Sequence, residues 1–387
     1  MGSQNNWLPF LVCIEDYFYL CEKFRNEKFR MMKNPFKFGT IVDDEFFTDR
    51  TKELAYIQRL LDSENHLILI SPRRFGKSSL VIKTVKQINR PYLMLNLQRV
   101  VSVEDFATKM LKEIFKLYPW EKIKHLMSHF RIIPTISTNP MTDGIEISFQ
   151  PTMDTNVLLE DSMTMLEKVS SSENRLIVIF DEFQEITNIG KGLDKQLRAI
   201  MQMQKGLNYI ILGSQESMMT DIFERKKSPF YHFGSLMRLD RIPYEDFTEY
   251  LSIRLQAVLD DMGQTVSQEI LALTKCHPYY TQQLASQVWE LANYEDIKEN
   301  VVPTAVERLT NIHDLDFERL WIGFNQMDKR VMLSLCEGNN PLQNRKFPTS
   351  TTFSTIKRLM KMGFVIKLEN YEVEDPFFKQ WIINKQL

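Results

Sequence analysis

No stretch of the chain holds the roughly 18 consecutive apolar residues that a membrane-crossing helix needs, so no such helix is expected. Cysteine is scarce: Cys13, Cys21, Cys276 and Cys336 lie far apart in 387 residues, with no C-x-x-C pair. That excludes a disulfide framework and a zinc ribbon and points to a reducing compartment, the cytoplasm. The six histidines show no H-E-x-x-H or similar ligand spacing, so no structural metal is expected. A formal net charge of −2 excludes a wholly basic nucleic-acid coat while leaving room for a local basic face. Internal repeats and low-complexity tracts are also missing. The apolar run Trp7–Ile14 stops at Glu15-Asp16 and has neither a basic leader nor a small-residue cleavage site, so a signal peptide is not expected. Residues 1–32, ending in Met31-Met32, read either as an N-terminal extension outside the native fold or as an extra helix.

Hydrophobic residues make up 43% of the chain and charged residues 25%, an ordinary globular balance, and the length suits two or three domains. Apolar runs at Leu67–Ile70, Tyr92–Leu97, Leu176–Phe180, Tyr209–Ser214 and Leu236–Ile242 predict five buried strands. Helical patterns fall between them, over about 77–88, 103–118, 155–169 and 193–204. Strands alternating with helices predict an α/β fold with a parallel sheet. A hairpin over about 132–149, turning at Asn139–Gly144, reads as a decoration on that sheet. From Tyr244 to about 316 the periodicity is helical throughout. The last stretch, 317–387, ends in a helix near Thr351–Met362 and a short hairpin around Glu369-Asn370, a pattern that suggests a winged helix.

The chemistry begins at Ser71-Pro72-Arg73-Arg74-Phe75-Gly76-Lys77-Ser78-Ser79, directly after a predicted strand and before a predicted helix. This is the spacing of a phosphate-binding loop, with Ser where the first Gly usually stands. Loop amides and the positive helix end would cradle a polyphosphate, Lys77 would add a mobile charge, and the Ser78 hydroxyl would reach the Mg²⁺ that accompanies ATP. Asp181-Glu182 follows the apolar run Leu176–Phe180. At the end of a buried strand, Asp181 would hold Mg²⁺ and Glu182 would polarise the water that attacks the γ-phosphate. Ser214 ends the next strand, either as a sensor of the γ-phosphate or as a cap of the following segment. No Asn-Lys-x-Asp or Thr-Lys-x-Asp is present for guanine, which leaves adenine as the base.

These strings join Phe38-Gly39, Phe47-x-x-Arg50-x-x-Glu53, Asp181-Glu182-Phe183-Gln184, Gly213-Ser214, His277-Pro278-Tyr279-Tyr280 and a closing Asp375-Pro376-Phe377-Phe378-Lys379-Gln380-Trp381. As a set, over about residues 33–387, they resemble the archaeal-type ATPases, an AAA+-like, STAND-related group of P-loop ATPases. The resemblance implies a P-loop NTPase core over 33–243, a helical lid over 244–316 and a C-terminal winged helix over 317–387. It places the segment from Ile41 to Arg50 by the adenine and His277-Pro278 on the lid, where they sense nucleotide. The plainer reading of His277-Pro278 is a helix N-terminus with Pro in the first turn. Three departures stand out: Ser71 in the loop, Cys276 where Gly often precedes His-Pro, and no Arg just after Pro229-Phe230-Tyr231. The last leaves Arg238 or Arg241 as a finger for a neighbouring site; a finger is worth roughly 10³–10⁵ in rate, so a chain lacking one would be a slow ATPase.

Lys357, Arg358 and Lys361 sit on the helix that would enter a DNA major groove, or they form a solvated face of a protein-binding winged helix. The sequence thus supports an Mg²⁺-dependent ATPase switch first. A nucleotide-gated DNA-binding or scaffold protein with little turnover comes second and a small-molecule kinase third. A DNA partner, a protein partner and a homo-oligomer all stay open.

Overall fold

The computed structural model describes residues 33–42, 46–127, 131, 135–139, 144–148, 154–343 and 348–385. The N-terminal extension, the tip of the hairpin and the basic pair Arg345-Lys346 lie outside the described residues. The chain divides into two compact units.

The first unit, Ile41–Ile242 with Lys357–Leu368, is built on a five-stranded sheet. Its strands are β1 (Leu67–Ile70), β2 (Tyr92–Asn96), β5 (Leu176–Asp181), β6 (Leu207–Gly213) and β7 (Ser235–Arg238), in the order β2-β5-β6-β1-β7, with every pairing parallel. β1, β5 and β6 are buried along their whole length, as expected for strands rich in Leu, Ile and Val within a parallel sheet covered on both faces. Their side chains alternate between two cores. Leu67, Leu69, Ile177, Ile179, Ile210 and Leu212 pack with Ile57 and Leu61 of α1 (Thr51–Asp62) and Leu80, Val81 and Val85 of α2 (Lys77–Ile88). Ile68, Ile70, Val178, Phe180, Tyr209 and Ile211 face the other way. There they meet α3 (Val103–Leu117), α5 (Thr155–Val169) and α7 (Leu193–Met203). The short α4 (Trp120–Met127) precedes an antiparallel pair, β3 (Thr135–Asn139) and β4 (Gly144–Ser148), outside the main sheet. The architecture is a parallel-sheet P-loop NTPase core followed by a helical region.

Register fixes what shares the carboxyl edge of the sheet. Ile70 lies opposite Gly213 on one side and Arg238 on the other, and Asn96 lies opposite Asp181. Ligands on open α/β sheets sit outside this edge.

At the opposite edge His66 stacks on Phe233 with ring centroids 4.6 Å apart, and its Nδ1 accepts from Tyr209 N at 3.3 Å. Burial, with Arg198 as a second cause, pushes its pKa from 6.5 down to about 4. The folded state therefore holds this imidazole neutral where the unfolded chain protonates it. Its stabilising contribution is complete above pH 6.5 and is lost as pH falls towards 4, by at most roughly 3 kcal/mol. Urea midpoints at pH 7 and 4.5 should show this loss, and His66→Gln should remove part of it. An equally steep acid loss in the variant would assign the effect elsewhere.

The second unit contains Pro243–Ile356, Glu369–Leu387 and the described residues before Ile41. It is helical: α9 (Tyr244–Leu259), α10 (Gly263–Thr274), α11 (Pro278–Tyr294), α12 (Val301–Ile312), α13 (Asp314–Gly323), α14 (Gln326–Cys336) and α16 (Pro376–Asn384). In chain order between α14 and α16 come α15 (Thr349–Met362) and the pair β8 (Val365–Lys367) and β9 (Tyr371–Val373), of which Lys357–Leu368 counts with the first unit. Asn325 and Asp328 close a capping box at the start of α14. Asn34 Nδ2 donates to Ser286 O at 3.2 Å and Phe38 meets Tyr279 edge-on, which straps residues 34–38 to α11. Among the described residues no helix is long and apolar enough to cross a membrane.

Candidate active site

The loop between β1 and α2 is shaped by two left-handed residues, Arg74 (φ 64°) and Gly76 (φ 86°). Gly76 is also the N-cap of α2, so the first amides of that helix are left without side-chain partners where the loop closes. Ser71 lacks the positive φ that would have required the usual glycine. Its N–H donates to Gly213 O at 3.3 Å, which ties the loop to the end of β6. At Gly213 a Cβ would stand 2.2 Å from the Met219 sulfur on α8 (Glu216–Phe223), so any larger residue would require that side chain to move. Phe75 is buried, whereas Arg73 and Arg74 are exposed and Pro72 is half-buried.

Lys77 is buried, and its Nζ donates to Ser71 O at 2.9 Å and Pro72 O at 2.8 Å. Burial pushes the ammonium down to about 8, against the pull of Glu182 and Asp181. The two loop carbonyls thus hold the ammonium. Ser78 Oγ lies 3.4 Å from Asp181 Oδ2. Burial, helped by the neighbouring Glu182 charge, raises the Asp181 pKa; the Glu182 N–H on its Oδ1, Lys77 and Ser78 act against that.

Glu182 ends the strand in a left-handed conformation, φ 52° and ψ 47°, rare for a residue with a side chain. Ser214 Oγ donates to its Oε2 at 2.7 Å. A second donor on that oxygen is Gln184 Nε2 at 2.5 Å; the residue closes the string Asp181-Glu182-Phe183-Gln184, but sequence reasoning gave it no role. The available signal was an amide two residues past the carboxylate, on the 3₁₀ turn Phe183–Glu185 that closes over the strand end.

The segment predicted to lie by the base reaches this loop at Ser79, whose Oγ accepts from Val42 N at 3.0 Å; Ile41 beside it is 53% exposed. Arg50 is buried, pairs with Glu53 at 3.0 Å and donates to Asp240 O at 2.5 Å. Its guanidinium staples the start of α1 to the chain beyond β7. Arg238 is gripped by Glu216 at 3.2 Å and Glu224 at 2.6 Å.

In the helical unit His277 is the N-cap of α11, accepting at Nδ1 from Tyr279 N and Tyr280 N, with Pro278 in the first turn. The plainer expectation for this pair is therefore realised. Cys276 has φ 59°, the conformation that suits the glycine it replaces. His277 Nε2 lies 3.7 Å from Glu374 Oε1, and Tyr280 donates to Glu374 Oε2 at 2.5 Å, joining the start of α11 to the chain just before α16. Lys357, Arg358 and Lys361 are exposed on α15, whose Ile356 and Leu359 are buried.

A family model described as an ATPase domain predominantly from Archaea matches residues 47–248. No curated protein sequence matches the chain. Among solved structures, a Walker-type ATPase of Pyrococcus abyssi aligns over 90% of this chain and 99% of its own, at 17% identity and a TM-score of 0.65. The ORC1 protein of Aeropyrum pernix, solved in complex with DNA, aligns over 88% and 93% at 12% identity and a TM-score of 0.48. Cdc6p of Pyrobaculum aerophilum aligns over 91% and 98% at 12% identity and 0.47.

Proposed function

The chain belongs to the family of ATPase domains found predominantly in Archaea, and from that premise we propose that it is an Mg²⁺-dependent ATPase working as a nucleotide-driven switch. The observation that carries this reading is the convergence at one sheet edge of Lys77, Ser78, Asp181, Glu182 and Ser214, through the contacts just described. The loop from Ser71 to Ser79 takes the β- and γ-phosphates on its amides, and Lys77 exchanges carbonyls for phosphate oxygens. Ser78 and Asp181 offer the hard oxygen donors that suit Mg²⁺, 3.4 Å apart, and the ion would neutralise charge on the phosphates. Glu182 accepts a proton from the attacking water as the new O–P bond forms, and the bond to the β,γ-bridging oxygen breaks to release ADP. Ser214 holds Glu182 and senses the γ-phosphate. Ile41 lies near the adenine. Arg50, in this reading, supports the segment instead of touching nucleotide.

The nucleotide core is followed by a lid over about 244–316 and a winged helix over about 317–387. His277 and Pro278 head a lid helix whose first turn is tied to Glu374, a direct route from lid to C-terminal module. Lys357, Arg358 and Lys361 present that module to a DNA or protein partner, and the widely spaced cysteines suit a reducing compartment such as the cytoplasm. A second reading, nucleotide gating with little turnover, is favoured by one contact set: Arg238 is engaged by Glu216 and Glu224, away from any finger role.

Phosphate release with Mg²⁺ or with EDTA, each with and without duplex DNA, separates the two. Slow Mg²⁺-dependent release that EDTA abolishes supports the ATPase. ATP binding with no release under any condition supports the gate, and acceleration by DNA identifies the partner.

A further inference from the structure

Gln184 is 1% exposed, within the core at the carboxyl edge of the sheet. Its Nε2 donates to Glu182 Oε2 at 2.5 Å and lies 3.5 Å from Ser214 Oγ, which donates to the same carboxylate oxygen at 2.7 Å. Two donors on one oxygen fix the rotation of the carboxylate. The other oxygen, Oε1, has no hydrogen bond among the described residues, and it is the one left to accept a proton. Glu182 has a left-handed backbone, so its side chain leaves the strand end in a direction that the backbone alone does not secure.

A second feature of the same side chain is unexplained by a structural role. Gln184 Oε1 is buried with no hydrogen-bond partner. Buried amide oxygens are rarely left so, and one beside a carboxylate poised for water activation is suited to accept from a bound water. A glutamine that only filled space would be served equally by methionine or leucine.

We propose that Gln184 is a positioning residue for hydrolysis: with Ser214 it clasps Oε2 of Glu182 so that Oε1 faces the attacking water. This rests on the reading of Glu182 as proton acceptor. In the step itself the water proton goes to Glu182 Oε1, the water oxygen joins the γ-phosphorus, and the bond to the bridging oxygen breaks to release ADP; Gln184 neither gains nor loses a proton.

The test uses the 387-residue chain with Gln184→Met, near-isosteric and without hydrogen bonds, and Gln184→Leu as a second variant should the first fold poorly. Both are made alone and combined with Glu182→Gln. Single-turnover ATP hydrolysis, KM and Mg²⁺-ATP affinity are measured, with melting temperatures as a folding check. The expected result is a turnover rate about 10–100-fold lower with KM and affinity within about twofold, and no further loss on adding the change to Glu182→Gln. An equal loss in both backgrounds would assign Gln184 to the structure and overturn the proposal. So would a wild-type rate for Gln184→Met when Glu182→Gln is inactive, an outcome that leaves the base assignment standing. A wild-type rate for Glu182→Gln would remove the base assignment, and the clasp with it.

Discussion

Replacing Lys77 with alanine is expected to weaken Mg²⁺-ATP binding by about 100-fold or more and to bring phosphate release down to background. The ammonium is held against the loop carbonyls, and it would make charge-assisted hydrogen bonds to two phosphate oxygens, each worth about 1.5–3 kcal/mol. The fold should survive. Burial already disfavours the charged form of Lys77, so its removal takes a desolvated charge out of the folded state. Calorimetric titration with Mg²⁺-ATP beside a thermal melt separates the two effects: an affinity within threefold of wild type would place the nucleotide elsewhere.

Glu182→Gln should have the opposite profile. The amide keeps the length of the side chain, adds no branch to the left-handed backbone and retains an oxygen for Ser214. It cannot accept the water proton. General-base catalysis typically contributes 10²–10⁴, so hydrolysis should fall by about that factor while ATP affinity stays within about threefold. The variant would hold ATP unhydrolysed, and recovering intact ATP after prolonged incubation checks this. Recovery of ADP at the wild-type rate would mean that another group receives the proton.

The parts of this site that lie close in sequence were legible beforehand. A buried run ending in Asp181-Glu182 and a loop ending in Gly76-Lys77-Ser78 follow from local rules, because strand burial and helix dipoles act over a few residues. The hairpin pieces at 135–139 and 144–148 were equally visible. The strand order was not, since β5 and β6 insert between β1 and β2 and nothing in the periodicity of either strand encodes its neighbour. Arg50 shows the same limit in one side chain. Its partner carbonyl, Asp240 O, is 190 residues away, so nothing near Arg50 in the sequence announces that it staples two distant segments. The Gln184 contact is local but depends on Glu182 turning left-handed, which spacing alone does not reveal. His277 was legible in both its readings, and the cap is the one that short-range hydrogen bonding enforces.

The left-handed backbone at Glu182 has a consequence for how such a protein changes under selection. A glycine there would relieve a strain of about 1 kcal/mol, yet it would leave the buried Ser214 hydroxyl and Gln184 amide without the carboxylate oxygen they donate to, at about 1–3 kcal/mol each. Stability and turnover therefore favour the same side chain here, and a lineage freed from the need to hydrolyse would lose this base only together with its two buried donors.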